Sequence, residues 1–219
     1  MKQAVAIVVY AWLTGWNKRA FLRWAIRLQN LIHAGAGARQ ICCFGVNPHT
    51  VWEMTGCCNL KCIHCHAFGG EATYDELSTE EGMRLIDQIA ALDIRTFVFT
   101  GGEPLLREDL FALIAYAKSK RFNVFIATNG TLITEEIAKL LKAFDVGVVI
   151  GLDGMNRETH DAIRGVEGAY DAVIAGIEHC TAEKLYVHLN IVASRRNFAE
   201  IERIIDYGDS PRRLFLLRL

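Results

Sequence analysis

Three thiols define the chemistry open to this sequence. Cys58, Cys62 and Cys65 have the spacing C-x3-C-x2-C within the run from Met54 to His66. Soft thiolates this close together are metal ligands far more often than core residues. A closed structural zinc site needs four ligands, with a second pair further along, and no second Cys-x-x-Cys follows here. Three thiolates instead suit three irons of a cubane, leaving the fourth iron open to a small molecule. Cys57 adjoins Cys58, and spacing alone leaves a register that uses it open.

Such a loop has to be held by regular elements, and the pattern after residue 49 supplies them. Residues 50–54, 95–99, 123–127, 146–150, 185–193 and 214–217 read as short apolar strands. Between them lie helical stripes such as Leu110, Leu113, Ile114 and Ala117, or Tyr170, Val173, Ile174 and Ile177. Ser78-Thr-Glu-Glu81 is a capping box opening one of them. Strands alternating with helices imply a parallel sheet covered by helices. Periodicity does not choose between a doubly wound open sheet and a barrel. In both, the site is built at the carboxyl ends of the strands.

Every polar motif falls at such an end. Thr100-Gly-Gly-Glu-Pro104 closes the second strand, and its two glycines let backbone approach a ligand. Thr128-Asn-Gly130 closes the third, where an Asn-Gly turn is the plain reading. Gly151-Leu-Asp-Gly154 closes the fourth, and Asp153 either orients a ligand or caps the next helix.

The amino-terminal part reads differently. Residues 4–13 form an apolar run shorter than the roughly 20 residues a membrane span needs. Residues 18–33 form a basic amphipathic helix that either packs on the domain or lies in a membrane interface. Residues 34–38 are a small-residue linker, and Cys42 and Cys43 read as small apolar residues. The chain therefore divides into 1–49 and a catalytic part, 50–219. Its 219 residues carry a net charge of −1, which gives no global electrostatic case for nucleic acid. Its 7 cysteines are clustered rather than distributed as a disulfide framework. Iron-ligating thiols need a reducing compartment, so the expected location is cytoplasmic, with membrane contact through residues 4–33 as the variant.

The run from Trp52 to Cys65, together with Gly-Gly-Glu, Thr-Asn-Gly and His160-Asp-Ala-Ile-Arg-Gly165, resembles the radical S-adenosylmethionine (SAM) enzymes over about residues 50–218. The likeness is to the branch with SPASM-type peptide-maturing and haem-precursor-modifying members. It implies an incomplete (β/α)6 barrel, and a [4Fe-4S] cluster on Cys58, Cys62 and Cys65. SAM would chelate the open iron and be cleaved to a 5′-deoxyadenosyl radical that abstracts hydrogen from a peptide or tetrapyrrole-like substrate. A flavodoxin or ferredoxin would be the reductant. The resemblance also implies SAM contacts by the backbone at His64 (adenine), by Gly101 and Gly102, and by Glu103 (the amine). Asn129, Asp153 and Arg164 complete the set, Arg164 meeting either the SAM carboxylate or an internal ion pair. Relatives more often carry serine where this chain has Gly151. The sequence ends on an apolar strand without the branch's C-terminal extension, which points to a truncated member. An inactive accessory module and a simple iron-sulfur electron carrier are the alternatives.

Overall fold

The computed structural model describes residues 49–67, 70, 75–92 and 94–208, together with the backbone of 213–218. Six strands lie side by side in chain order: β1 (His49–Glu53), β2 (Thr96–Thr100), β3 (Asn123–Thr128), β4 (Gly147–Gly151), β5 (Val187–Val192) and β6 (Arg213–Arg218). Each neighbouring pair is parallel. A doubly wound sheet reverses its strand order at a switch point. This order never reverses, so right-handed crossovers place the covering helices on one face. The other face is the interior of an incomplete six-stranded barrel, the architecture that the resemblance implies.

Alternation along the strands separates the two faces. Phe97, Phe99, Val124, Ile126, Val148, Ile150, Val187, Leu189 and Ile191 belong to the core beneath the helices. Val98, Phe125, Val149, His188 and Asn190, one residue out of phase, therefore face the barrel interior. The core is close-packed around aromatic rings, with Phe97 and Phe99 at 4.8 Å and Phe97 and Phe122 at 5.4 Å between centroids. Truncating a buried leucine in it, such as Leu113, costs about 2–5 kcal/mol.

The helices are α1 (Thr79–Ala90), α2 (Leu110–Ser119), α3 (Glu135–Ala143), α4 (Arg157–Arg164), α5 (Ala169–Ala182) and α6 (Ile201–Gly208). The capping box forms as read: Ser78 accepts from the Glu81 N–H, and Glu81 reaches back to the Ser78 N–H. Between β4 and β5 the stripe beginning at Tyr170 marks only α5, and α4 precedes it as a separate helix. Hydrophobic period misses α4 because its buried residues are His160, Ile163 and Arg164, two of them polar. Its N-cap is Asn156, whose side chain accepts from the Thr159 N–H, and not Asp153.

The apolar run, amphipathic helix, linker and Cys42 and Cys43 of the amino-terminal part lie outside the described residues. Among those described, no helix is long and apolar enough to cross a membrane.

Candidate functional site

The cysteine loop leaves β1 and is clamped from two sides. On the first, its opening residues pack on the turn after β2. The Gly102 N–H donates to Thr55 O at 2.7 Å and the Glu103 N–H to Cys57 O at 2.7 Å. A Cβ at 102 would fall 2.2 Å from Cys57 O, and one at 101, where φ is +150°, would fall 2.4 Å from Thr55 O. The backbone that this glycine pair admits is thus the cysteine loop's own. Below it, Glu76 accepts from Thr55 Oγ1 and the Gly56 N–H. Arg107 donates to Met54 O and Leu77 O and forms a two-pronged pair with Asp109.

On the second side, the carboxyl end of α4 holds the loop. The Lys61 N–H donates to Arg164 O at 3.0 Å and the Ile63 N–H to Ile163 O at 2.9 Å, so loop donors satisfy carbonyls the helix leaves free. Gly165 turns the chain away at φ +72°, with Lys61 O 2.2 Å from where its Cβ would stand. Asp161 fixes the corner by accepting from the Gly168 and Tyr170 N–H groups. His160 is buried and accepts from the Asp153 N–H through Nδ1, and burial pushes its pKa down to about 4. The His-Asp-x-x-Arg-Gly motif is in this way the seat of the cysteine loop.

The acidic and amide side chains tie the strand ends together. Glu103 is fully buried and accepts from Thr128 Oγ1 (2.7 Å), the Asn129 N–H (2.8 Å) and the Leu105 N–H (3.1 Å). Burial pushes its carboxyl up, against those three hydrogen bonds and the charge of Arg164. Asn129 Nδ2 donates to Asn59 Oδ1 at 2.8 Å and lies 4.0 Å from Cys58 Sγ, and Asn59 in turn donates to Thr131 Oγ1.

Asp153 is fully buried at the end of β4. Its Oδ1 accepts from the Val192 N–H at 2.9 Å, and its Oδ2 lies 2.8 Å from Arg164 Nη2 and 3.6 Å from His64 Nε2. The Arg164 contact is an ion pair off the hydrogen-bond line, so Oδ2 carries no hydrogen bond. Burial lowers the His64 pKa, with Asp153 pulling the other way. The Arg164 guanidinium also sets Nη1 3.9 Å from Cys62 Sγ. It rests on Gly151, where a Cβ would come 2.2 Å from Nη2. Of the two partners read for Arg164, the internal ion pair is present. Gly151 lacks a side chain because the guanidinium takes that space.

Cys58, Cys62 and Cys65 are half-buried on this loop, and none of them is in a disulfide. The Leu60 N–H donates to Cys58 Sγ at 3.4 Å. Burial pushes the Cys58 and Cys62 thiols up, and Arg164 opposes it at Cys62. N–H donors and a cation around the sulfurs favour their thiolate forms, as cluster ligands require. Among the described residues no three His, Cys, Asp or Glu side chains gather on a single-ion site; a cluster spreads its thiolates over several metal atoms. Among the buried atoms without a hydrogen-bond partner are Arg164 Nε and Asn190 Oδ1, the latter on the strand position paired with Gly151. Both suit a polar ligand such as SAM. His66 lies outside, exposed and 3.3 Å from Glu53. Sequence reading missed Asn59, Thr131, Glu76 and Arg107; Asn59, between the cysteines, and Arg107, three residues after Pro104, were findable by position.

Comparison with known proteins agrees with the fold. The family model described as "Radical SAM superfamily" matches residues 52–208. A Fe-coproporphyrin III synthase of Methanosarcina barkeri is 45% identical over 73% of this chain and 40% of its own length. The mycofactocin maturase MftC of Mycobacterium tuberculosis is 37% identical over 69% of this chain and 39% of its own. The fold matches Streptococcus suis SuiB, solved with S-adenosylmethionine bound, with a TM-score of 0.65 at 19% identity, covering 73% of this chain and 37% of that one. The chain thus spans about two fifths of the length of the curated relatives it matches.

Proposed function

The chain belongs to the radical SAM superfamily, whose members are enzymes that use a [4Fe-4S] cluster and SAM, and we propose that Cys58, Cys62 and Cys65 hold that cluster here. When bound, the cluster and SAM supply a 5′-deoxyadenosyl radical for hydrogen abstraction. The chain's own residues orient and shield. Gly101 and Gly102 bring the turn after β2 against the cysteine loop, and Glu103 orders the β2 and β3 ends where the SAM amine would lie. Asn129, Asp153 and Arg164 carry polar groups toward the same space, with Arg164 Nε and Asn190 Oδ1 left to serve SAM. The backbone at His64 would meet the adenine.

The observation that carries this reading is the double clamp on the cysteine loop, by the turn after β2 and by the end of α4. Among substrates, a haem-precursor tetrapyrrole is favoured over a peptide by the 45% identity to the Fe-coproporphyrin III synthase, against 37% to the maturase. A flavodoxin or ferredoxin would deliver the electron in the cytoplasm, and residues 4–33 offer a peripheral membrane contact. The test is anaerobic reconstitution with iron and sulfide, followed by electron paramagnetic resonance of the reduced protein with and without SAM. A cluster whose spectrum changes with SAM is the expected result. A cluster indifferent to SAM contradicts the reading in favour of an electron carrier, and no cluster at all favours an accessory module.

A further inference from the structure

We propose that Arg164 raises the reduction potential of the cluster by donating to the Cys62 sulfur, with Asp153 as the counter-charge that limits the effect. The proposal rests on the reading of Cys58, Cys62 and Cys65 as cluster ligands.

Four observations meet at this side chain. Nη1 lies 3.9 Å from Cys62 Sγ, within reach of an N–H···S contact. Nη2 lies 2.8 Å from a carboxylate that is itself fully buried, so the guanidinium cannot swing away without leaving that charge uncompensated. The residue is 8% exposed, and water does little to screen it. Its backbone carbonyl accepts from the Lys61 N–H, so one residue holds the loop through its main chain and faces the loop's sulfur with its side chain. Gly151 is the permissive element, since any larger residue would displace Nη2. At Cys58 the corresponding side-chain donor is the neutral Asn129 amide, 4.0 Å away. The donor is thus charged at Cys62 and neutral at Cys58.

The sign follows from charge. Reduction adds negative charge to the cluster and its sulfurs, and a nearby cationic N–H donor stabilises the reduced form more than the oxidised one. Asp153 acts in the opposite sense. Arg164 is therefore a positioning residue that acts through Cys62, and its Nε stays free for SAM.

The test is a redox titration of the reconstituted protein, followed by electron paramagnetic resonance without substrate. Arg164→Gln should lower the midpoint potential and Asp153→Asn should raise it. Gly151→Ala, which keeps both charges but pushes the guanidinium off, should lower it, and Arg164→Lys should fall between Arg164→Gln and the wild type. A merely structural role would cost iron content and melting temperature in Arg164→Gln and Asp153→Asn alike, without opposite shifts. Midpoints that stay put, or move the same way in these two variants, overturn the proposal. If Arg164→Gln loses its cluster, Asp153→Asn and Gly151→Ala still decide the sign. If the wild type takes up no cluster, the ligand reading falls first and this proposal with it. A wild type that binds the cluster and responds to SAM, with unmoved midpoints in the variants, sinks the proposal alone.

Discussion

The Glu103 carboxylate accepts the backbone N–H of Asn129 at 2.8 Å, joining the turn after β2 to the end of β3 inside a fully buried pocket. Burial raises its pKa above 4.5, so the folded chain binds this proton more tightly than the unfolded one. Stability from this group is then fully present below the unfolded value and is lost as pH rises through the folded one. Urea unfolding of the apo chain at several pH values should show the wild type gaining on Glu103→Gln as pH falls toward 4.5. A pH-independent difference would contradict the assignment.

Glu200 has the opposite sign. Burial alone would push its carboxyl up, but hydrogen bonds from Thr159, the Met155 N–H and Asn156 outweigh it and hold the group below 4.5. Its contribution is present above the unfolded value and disappears as pH falls through the folded one. Glu200→Gln should cost about 1–3 kcal/mol near neutral pH, with the gap closing in acid. Chemical denaturation at both ends of the range checks this.

Gly102→Ala inserts a methyl group where Cys57 O already stands 2.2 Å away. The loop must move, at a cost of about 1–3 kcal/mol, and the Gly102 N–H to Thr55 O bond goes with it. Melting temperature of the apo chain and iron retained after reconstitution should both fall. An alanine variant with normal iron content would show that this close approach does not position the thiols.

The four thiols of the loop should separate cleanly. Serine at Cys58, Cys62 or Cys65 should abolish the brown cluster chromophore, whereas Cys57→Ser should keep it. Cys57 holds the loop through its backbone: its O accepts from the Glu103 N–H and its N–H donates to Thr55 Oγ1. Iron and sulfide assays of the four variants provide the measurement.

Much of this was legible in the residues. The strands fall within two residues of the read boundaries because apolar runs between polar turns mark them, and the Gly-Gly-Glu, Thr-Asn-Gly and Gly151–Gly154 motifs do lie at strand carboxyl ends, whereas the His160–Gly165 motif ends a helix. Sheet order was legible only through the resemblance, since period says nothing about which strands pair. The helix α4 escaped because it buries His160 and Arg164 in place of an apolar stripe. The contacts of Arg164 with Cys62, Asn129 with Cys58 and Gly102 with Cys57 escaped for a common reason. Each contact spans from 45 to over 100 residues, and the glycine pair looked like a ligand's approach until the cysteine loop was found filling it.

The most direct measurement is the yield of 5′-deoxyadenosine when the reconstituted, reduced protein is incubated with SAM under anaerobic conditions. The account predicts that the wild type forms it and that Cys62→Ser forms none. A wild-type protein with its cluster assembled and reduced that leaves SAM intact would contradict it.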